Sequence, residues 1–176
     1  MMNLHKLCLL AAVPLAPAFI NAQNARPPEK PRRPMPTASL TLSAEAVTFK
    51  AGSPIKVKAV LKNTWNDEIL CVWNDYDQFV HVDVRDADGK LAPETERGKA
   101  MNGHGGKPRG GGSVYAPTFK PGESFEFHEQ VDMLYTLKPG MHTVQVDTGA
   151  IAIGSREIEP TTAWIKSNVI TITVTE

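Results

Sequence analysis

From Ala38 to the C-terminus, nearly every apolar run in this chain switches sides residue by residue, and a period of two admits strands and little else. In SPIKVKAVLKN, Ile55, Val57, Ala59 and Leu61 fall on one side, with Lys56, Lys58 and Lys62 on the other. QFVHVDVRD sets Val80, Val82 and Val84 against His81, Asp83 and Arg85. Phe125 and Phe127 oppose Glu126 and His128, and Ile170, Ile172 and Val174 oppose Thr171, Thr173 and Thr175. Leu40 and Leu42 suggest a first strand, and Ile69 to Trp73 reads as one apolar strand whose facing the pattern leaves open. Turn residues fall between the runs: Asp88-Gly89 suits a hairpin. Lys120-Pro121-Gly122 and Lys138-Pro139-Gly140 suit turns in which proline presets φ and glycine takes the left-handed position. No segment longer than a turn or two has helical spacing. Short alternating strands without a βαβ rhythm predict an all-β, antiparallel sandwich of about seven or more strands.

Two stretches carry a resemblance. LYTLKPGMHTVQV (Leu134–Val146) and IKSNVITITV (Ile165–Val174) are similar to the last strands of immunoglobulin-like extracytoplasmic domains. There, a Leu-x-Pro-Gly-x-Tyr-x-Val stretch leads into one strand and a Ser-Asn-x-Ile-x-Val stretch makes the final one. More loosely, the chain resembles the β-sandwich of the intracellular proteinase inhibitor family. The resemblance implies an immunoglobulin-like fold and no particular activity. His142 departs from the pattern, standing where those domains carry tyrosine. A tyrosine there ties the start of the strand through its hydroxyl, and a histidine can do so through a ring N–H.

The N-terminus reads as an export signal. His5 and Lys6 precede an apolar run from Leu7 to Ile20, followed by small residues with Ala22 as the expected cleavage point. The run is short for a membrane span and is interrupted by Pro14 and Pro17. Residues 1–22 are therefore expected to be a cleaved signal peptide, placing the product in the periplasm or outside the cell. Residues 23–37 hold five prolines and almost nothing apolar, the composition of a disordered linker. Residues 38–176 form the expected domain.

Cleavage removes Lys6, so eighteen cations face nineteen acids and the formal charge becomes −1. Such a balance gives no field for gathering nucleic acid or an anionic membrane. It also removes Cys8, leaving Cys71 without an internal disulfide partner. A buried thiol is the expected fate of Cys71, with a crosslink between chains as the alternative.

Motifs for catalysis and cofactors fail on chemistry. MNGHGGKPRGGGS, Met101–Ser113, lacks the phosphate-loop pattern: Gly106-Lys107 is followed by Pro108, which has no backbone N–H to offer a phosphate. Pro108 also occupies the place of the third glycine in a dinucleotide fingerprint. The 98–112 glycine-rich segment is read instead as a surface connector between a strand ending near Lys90 and one beginning near Val114. His81, His104, His128 and His142 make no His-x-His or His-x₃-His pair, although neighbouring strands could still bring two together. Asp86 and Asp88 match two positions of a calcium loop, but its first and last ligands would be Val84 and Thr95. No Gly-x-Ser-x-Gly elbow occurs. The chain is expected to be no enzyme and to carry no cofactor.

Binding is the remaining class, to an unidentified protein or envelope component. Trp65 and Tyr76 flank the apolar strand, and Trp73 between them is read as core. His104 and Arg109 stand on the glycine segment, and Ile151, Ile153 and Ile158 lie between the last two strands. These seven, Trp73 apart, are the candidate partner contacts, although the isoleucines would equally extend a long hairpin. A proteinase-inhibitor-like module and a carbohydrate- or metal-binding module are the alternative readings. The export signal sits badly with an inhibitor of intracellular proteases.

Overall fold

The alternation produces strands wherever it was seen. The computed structural model describes residues 36–71, 73–74, 80–105, 114–153 and 161–176, all within the compact unit Met35–Glu176. The expected signal peptide and most of the expected linker, residues 1–35, lie outside the described residues. Three strands form one sheet: β1 (Ala38–Ala44), β3 (Lys56–Asn63) and β9 (Ser124–Gln130), ordered β1-β3-β9. The second sheet is built on a long strand, β10 (Gly140–Ile153), which pairs with β6 (Val80–Asp86) along one side. On its other side it pairs first with β12 (Ile170–Thr175) and then with β11 (Thr161–Lys166). Short β2 (Thr48–Lys50) joins β12 in parallel, the one exception to antiparallel pairing among the described strands.

The inward sets of the two sheets make one core. Leu40, Leu42, Val57, Ala59, Leu61 and Phe127 come from the first, and Val80, Val82, Val84, Val144, Val146, Ile172 and Val174 from the second. Each buried aliphatic side chain is worth about 1.5–3 kcal/mol relative to exposure, so this double layer is the source of stability. Both proline–glycine segments place glycine at positive φ. Gly122 (φ 81°) sits in a turn closed by Glu123 N–H donating to Lys120 O at 3.0 Å. Gly140 (φ 138°) instead opens β10 directly.

Three expectations need correction. First, the apolar strand Ile69 to Trp73 is broken into β4 (Ile69–Leu70), paired with β8 (Thr118–Phe119), and β5 (Trp73–Asn74), paired with β7 (Val114–Tyr115). The two pairs share one register, which puts Cys71 opposite Pro117. Cys71 N–H donates to Pro117 O at 3.0 Å, but proline has no N–H to return the bond, and the ladder lapses there. Second, β6 ends at Asp86 rather than near Lys90. The chain reverses through Asp88-Gly89, with Asp86 Oδ1 accepting from Asp88 and Lys90 N–H, and Ala92 N–H then donates to Val84 O. Asp86 and Asp88 thus serve an ordinary hairpin turn.

Third, the glycine segment is not a plain connector along its whole length. Residues 96–101 form a short helix, α1 (Glu96–Met101), capped by Thr95 Oγ1 accepting from Gly98 N–H. It packs on a second, α2 (Val131–Leu134). Thr95 donates both its N–H and its hydroxyl to the last carbonyls of α2, and a Cβ on Gly98 would stand 2.1 Å from Leu134 O. Only glycine permits that approach.

Candidate functional site

The outward set of the second sheet carries an exposed tryptophan, Trp164. Ile165 packs toward the core, so alternation turns Trp164 and Lys166 of β11 outward. Trp164 is 56 % exposed, and its ring stacks at a tilt on His81 of β6, centroids 5.3 Å apart. Asp147 of β10 pairs with both His81 and Lys166 across the sheet. Its Oδ1 lies 3.6 Å from His81 Nδ1, too long for a hydrogen bond, and has no hydrogen-bond partner among the described residues. Burial raises the Asp147 carboxyl above the usual aspartate range, and the nearby His81 and Lys166 only partly oppose this. Asp83 and Arg85 continue the face along β6, joined at 2.8 Å.

A polar hub sits at the root of the glycine segment. Asn102 caps α1 and turns its carboxamide onto the outer edge of β6, where Oδ1 accepts from Val82 N–H at 3.2 Å and Nδ2 donates to Val82 O at 3.3 Å. Nδ2 also approaches Glu94 Oε1 (2.6 Å) and Tyr135 Oη (2.8 Å), while the Tyr135 hydroxyl donates to Val82 O. His104 Nδ1 meets Glu94 Oε2 at 2.9 Å. Burial works against the Glu94 charge, yet the bonds from Asn102 and His104 outweigh it and hold the carboxyl below the ordinary glutamate range. Burial, with Glu94 close by, pushes the Tyr135 hydroxyl up.

The resembling motifs serve the joints between strands. His142 is buried, and its Nε2 donates to Lys138 O at 2.8 Å, tying the start of β10 in the role expected for it. Ser167-Asn168 forms the step from β11 to β12. Ser167 Oγ accepts from Val146 N–H, and the Asn168 carboxamide accepts from Leu42 N–H (2.8 Å) and donates to Leu42 O (3.0 Å). Asn168 therefore closes the outer edge of β1 and links it to the opposite sheet.

The other candidates scatter. Trp65 is partly buried against the core rather than standing free. His104 is exposed on the hub, and His128 is exposed on β9. Ile151 and Ile153 lie in β10, paired with Ala163 and Thr161 of β11, so the long-hairpin alternative describes their backbone. Tyr76, Arg109 and Ile158 lie outside the described residues, as does the side chain of Trp73. Cys71 is free and fully buried, and burial pushes its thiol up to about 12, so it stays protonated and inert. Among the described residues no three His, Cys, Asp or Glu side chains stand together as a metal site, and no helix is long and apolar enough to cross a membrane. Trp164 and Asn102 were not singled out from sequence. The alternation of TTAWIK carried the signal for the first, and nothing local carried it for the second.

No family model matches the chain, and no curated protein does. Solved structures with some likeness include the CARDB domain of the PF1109 protein from Pyrococcus furiosus, crystallised with di-metal ions, at 9 % identity and TM-score 0.35. That match covers 80 % of this chain and 90 % of the other. Spo0M, a sporulation control protein from Bacillus subtilis, is 12 % identical with TM-score 0.37, over 79 % of this chain and 49 % of that one. A β-glucosidase from Listeria innocua is 16 % identical with TM-score 0.40, over 79 % of this chain and only 16 % of the enzyme. Likenesses this distant assign no activity. The all-β sandwich rests on the sheets themselves, and the inhibitor reading has no matching family behind it.

Proposed function

We propose that this chain is an exported, non-catalytic β-sandwich that holds a macromolecular partner against the outer face of β6, β10 and β11. One observation carries the reading: Trp164 presents a large ring to solvent, 56 % exposed, opposite the register shift of β10 between Thr148 and Ile151, braced by His81 and close to the Asp147–Lys166 pair. Tryptophan is among the residues most enriched at the energetic centres of interfaces, and the stacking on His81 reduces the ordering that binding would require of the ring. The asparagine clamps on β1 and β6 favour contact through a face over addition of a partner strand at either edge. Export is proposed from the N-terminal sequence.

The test is capture of envelope components by the purified protein, beside its Trp164→Ala variant. The reading expects a saturable partner that the variant loses while keeping its fold. Identical binding by both proteins contradicts it. An indole beside a carboxylate also suits the face of a sugar ring, which favours a second reading as a carbohydrate-binding module. Glycan-array binding lost on Trp164→Ala would select that reading, and Trp65, packed on the core, is the wrong residue for the test.

A further inference from the structure

Asn102-Gly103 is the only Asn-Gly step in the chain. In such a step the backbone nitrogen of glycine can attack the side-chain carbonyl of asparagine, since no Cβ obstructs the approach. The fold treats the two reacting groups differently. Gly103 lies in exposed backbone at φ 75° with open space around its Cα, and its N–H has no hydrogen-bond partner among the described residues. The Asn102 carboxamide is held by Val82, Glu94 and Tyr135. Ring closure needs its carbonyl carbon to turn onto the Gly103 nitrogen, which breaks every one of those bonds.

We propose that Asn102-Gly103 is a gated deamidation site, inert while its amide is docked on β6 and reactive whenever the root of the glycine segment opens. The Gly103 nitrogen gives up its proton and bonds to Asn102 Cγ, the Cγ–Nδ2 bond breaks, and ammonia leaves with the proton. Solvent water then opens the succinimide at either carbonyl, leaving an aspartate or an isoaspartate at position 102. The product cannot dock again as before. A carboxylate has no N–H to donate to Val82 O or Tyr135 Oη, and it would face the Glu94 carboxylate. Conversion is thus a one-way release of the clamp on the β6 edge.

The experiment incubates the full chain folded, in sub-denaturing urea and fully unfolded, at one pH and temperature. Peptide mass spectrometry follows succinimide, aspartate and isoaspartate at position 102. The unfolded chain should convert at least about tenfold faster than the folded one, the gap reporting the cost of local opening. Conversion should climb in urea before circular dichroism shows global unfolding, and Glu94→Ala should convert faster than the parent. Equal rates folded and unfolded would overturn the proposal. So would a rate that stays flat until global unfolding, a reading that holds even if Glu94→Ala fails to fold.

Discussion

The outer edges of β1 and β6 are closed by the same device set in different surroundings. On β1, Asn168 offers Leu42 an acceptor and a donor, standing in for a neighbouring strand. On β6, Asn102 does the same for Val82. Asn168 is exposed, on the step between two strands, and among the described residues its carboxamide hydrogen-bonds to the Leu42 backbone. Asn102 sits in a half-buried network with Glu94, Tyr135 and, through Glu94, His104. A neutral clamp gives one fixed edge. A clamp wired to a carboxylate gives an edge whose strength depends on pH and on the chemical state of a single amide.

The largest expected effect tests what brings Asn102 to β6. Gly98→Ala forces a Cβ to within 2.1 Å of Leu134 O, so α1 must leave α2. A loss of about 3 kcal/mol or more is expected in urea unfolding, or no folding at all. Wild-type stability would show that the helix contact does not position the clamp.

Next come the clamps themselves. Asn102→Ala leaves the Val82 N–H without its acceptor and takes a donor from Glu94 and the Tyr135 hydroxyl in a half-buried site, and should cost about 2–3 kcal/mol. Asn168→Ala should cost about 1 kcal/mol, because water can reach the exposed step. Equal losses would erase the distinction between the edges.

A smaller effect separates them by pH. The folded state holds the Glu94 carboxyl below its ordinary range. Its stabilisation is therefore present above the unfolded glutamate pKa and fades as pH falls through the lower folded value. The cost of Asn102→Ala should shrink over that acid window, while that of Asn168→Ala stays level. Parallel profiles would detach Glu94 from the clamp.

The smallest concerns the Trp164 face. Burial raises the Asp147 carboxyl, so its contribution favours folding below the unfolded aspartate pKa and is lost as pH rises through the raised value. Asp147→Asn should stabilise the protein at neutral pH by less than about 1 kcal/mol, solvent screening included, with no gain in acid. A loss at neutral pH would mean the charge is needed where it stands.

How much of this was legible in sequence follows from the range of each interaction. Alternation depends on neighbours two residues apart, so Val57, Val82, Phe127 and Ile172 declared their facing, and all four are buried. His142 was legible through the resemblance of its stretch to immunoglobulin-like strand entries, and its bond to Lys138 O is a local one, four residues back. The break at Cys71 depends on Pro117, and a proline opposite a strand leaves no mark on that strand. The clamps were hidden for the same reason, Asn168 lying 126 residues from Leu42 and Asn102 20 from Val82. Trp164 was legible in principle, because Ile165 beside it fixed which side was out.

Amide hydrogen exchange at Leu42 and Val82 tests the account most directly. Both N–H groups should be protected in the parent protein. Asn168→Ala should release Leu42 alone, and Asn102→Ala should release Val82 alone. Rapid exchange at both positions in the parent, or protection that survives both substitutions, would contradict the two-clamp architecture.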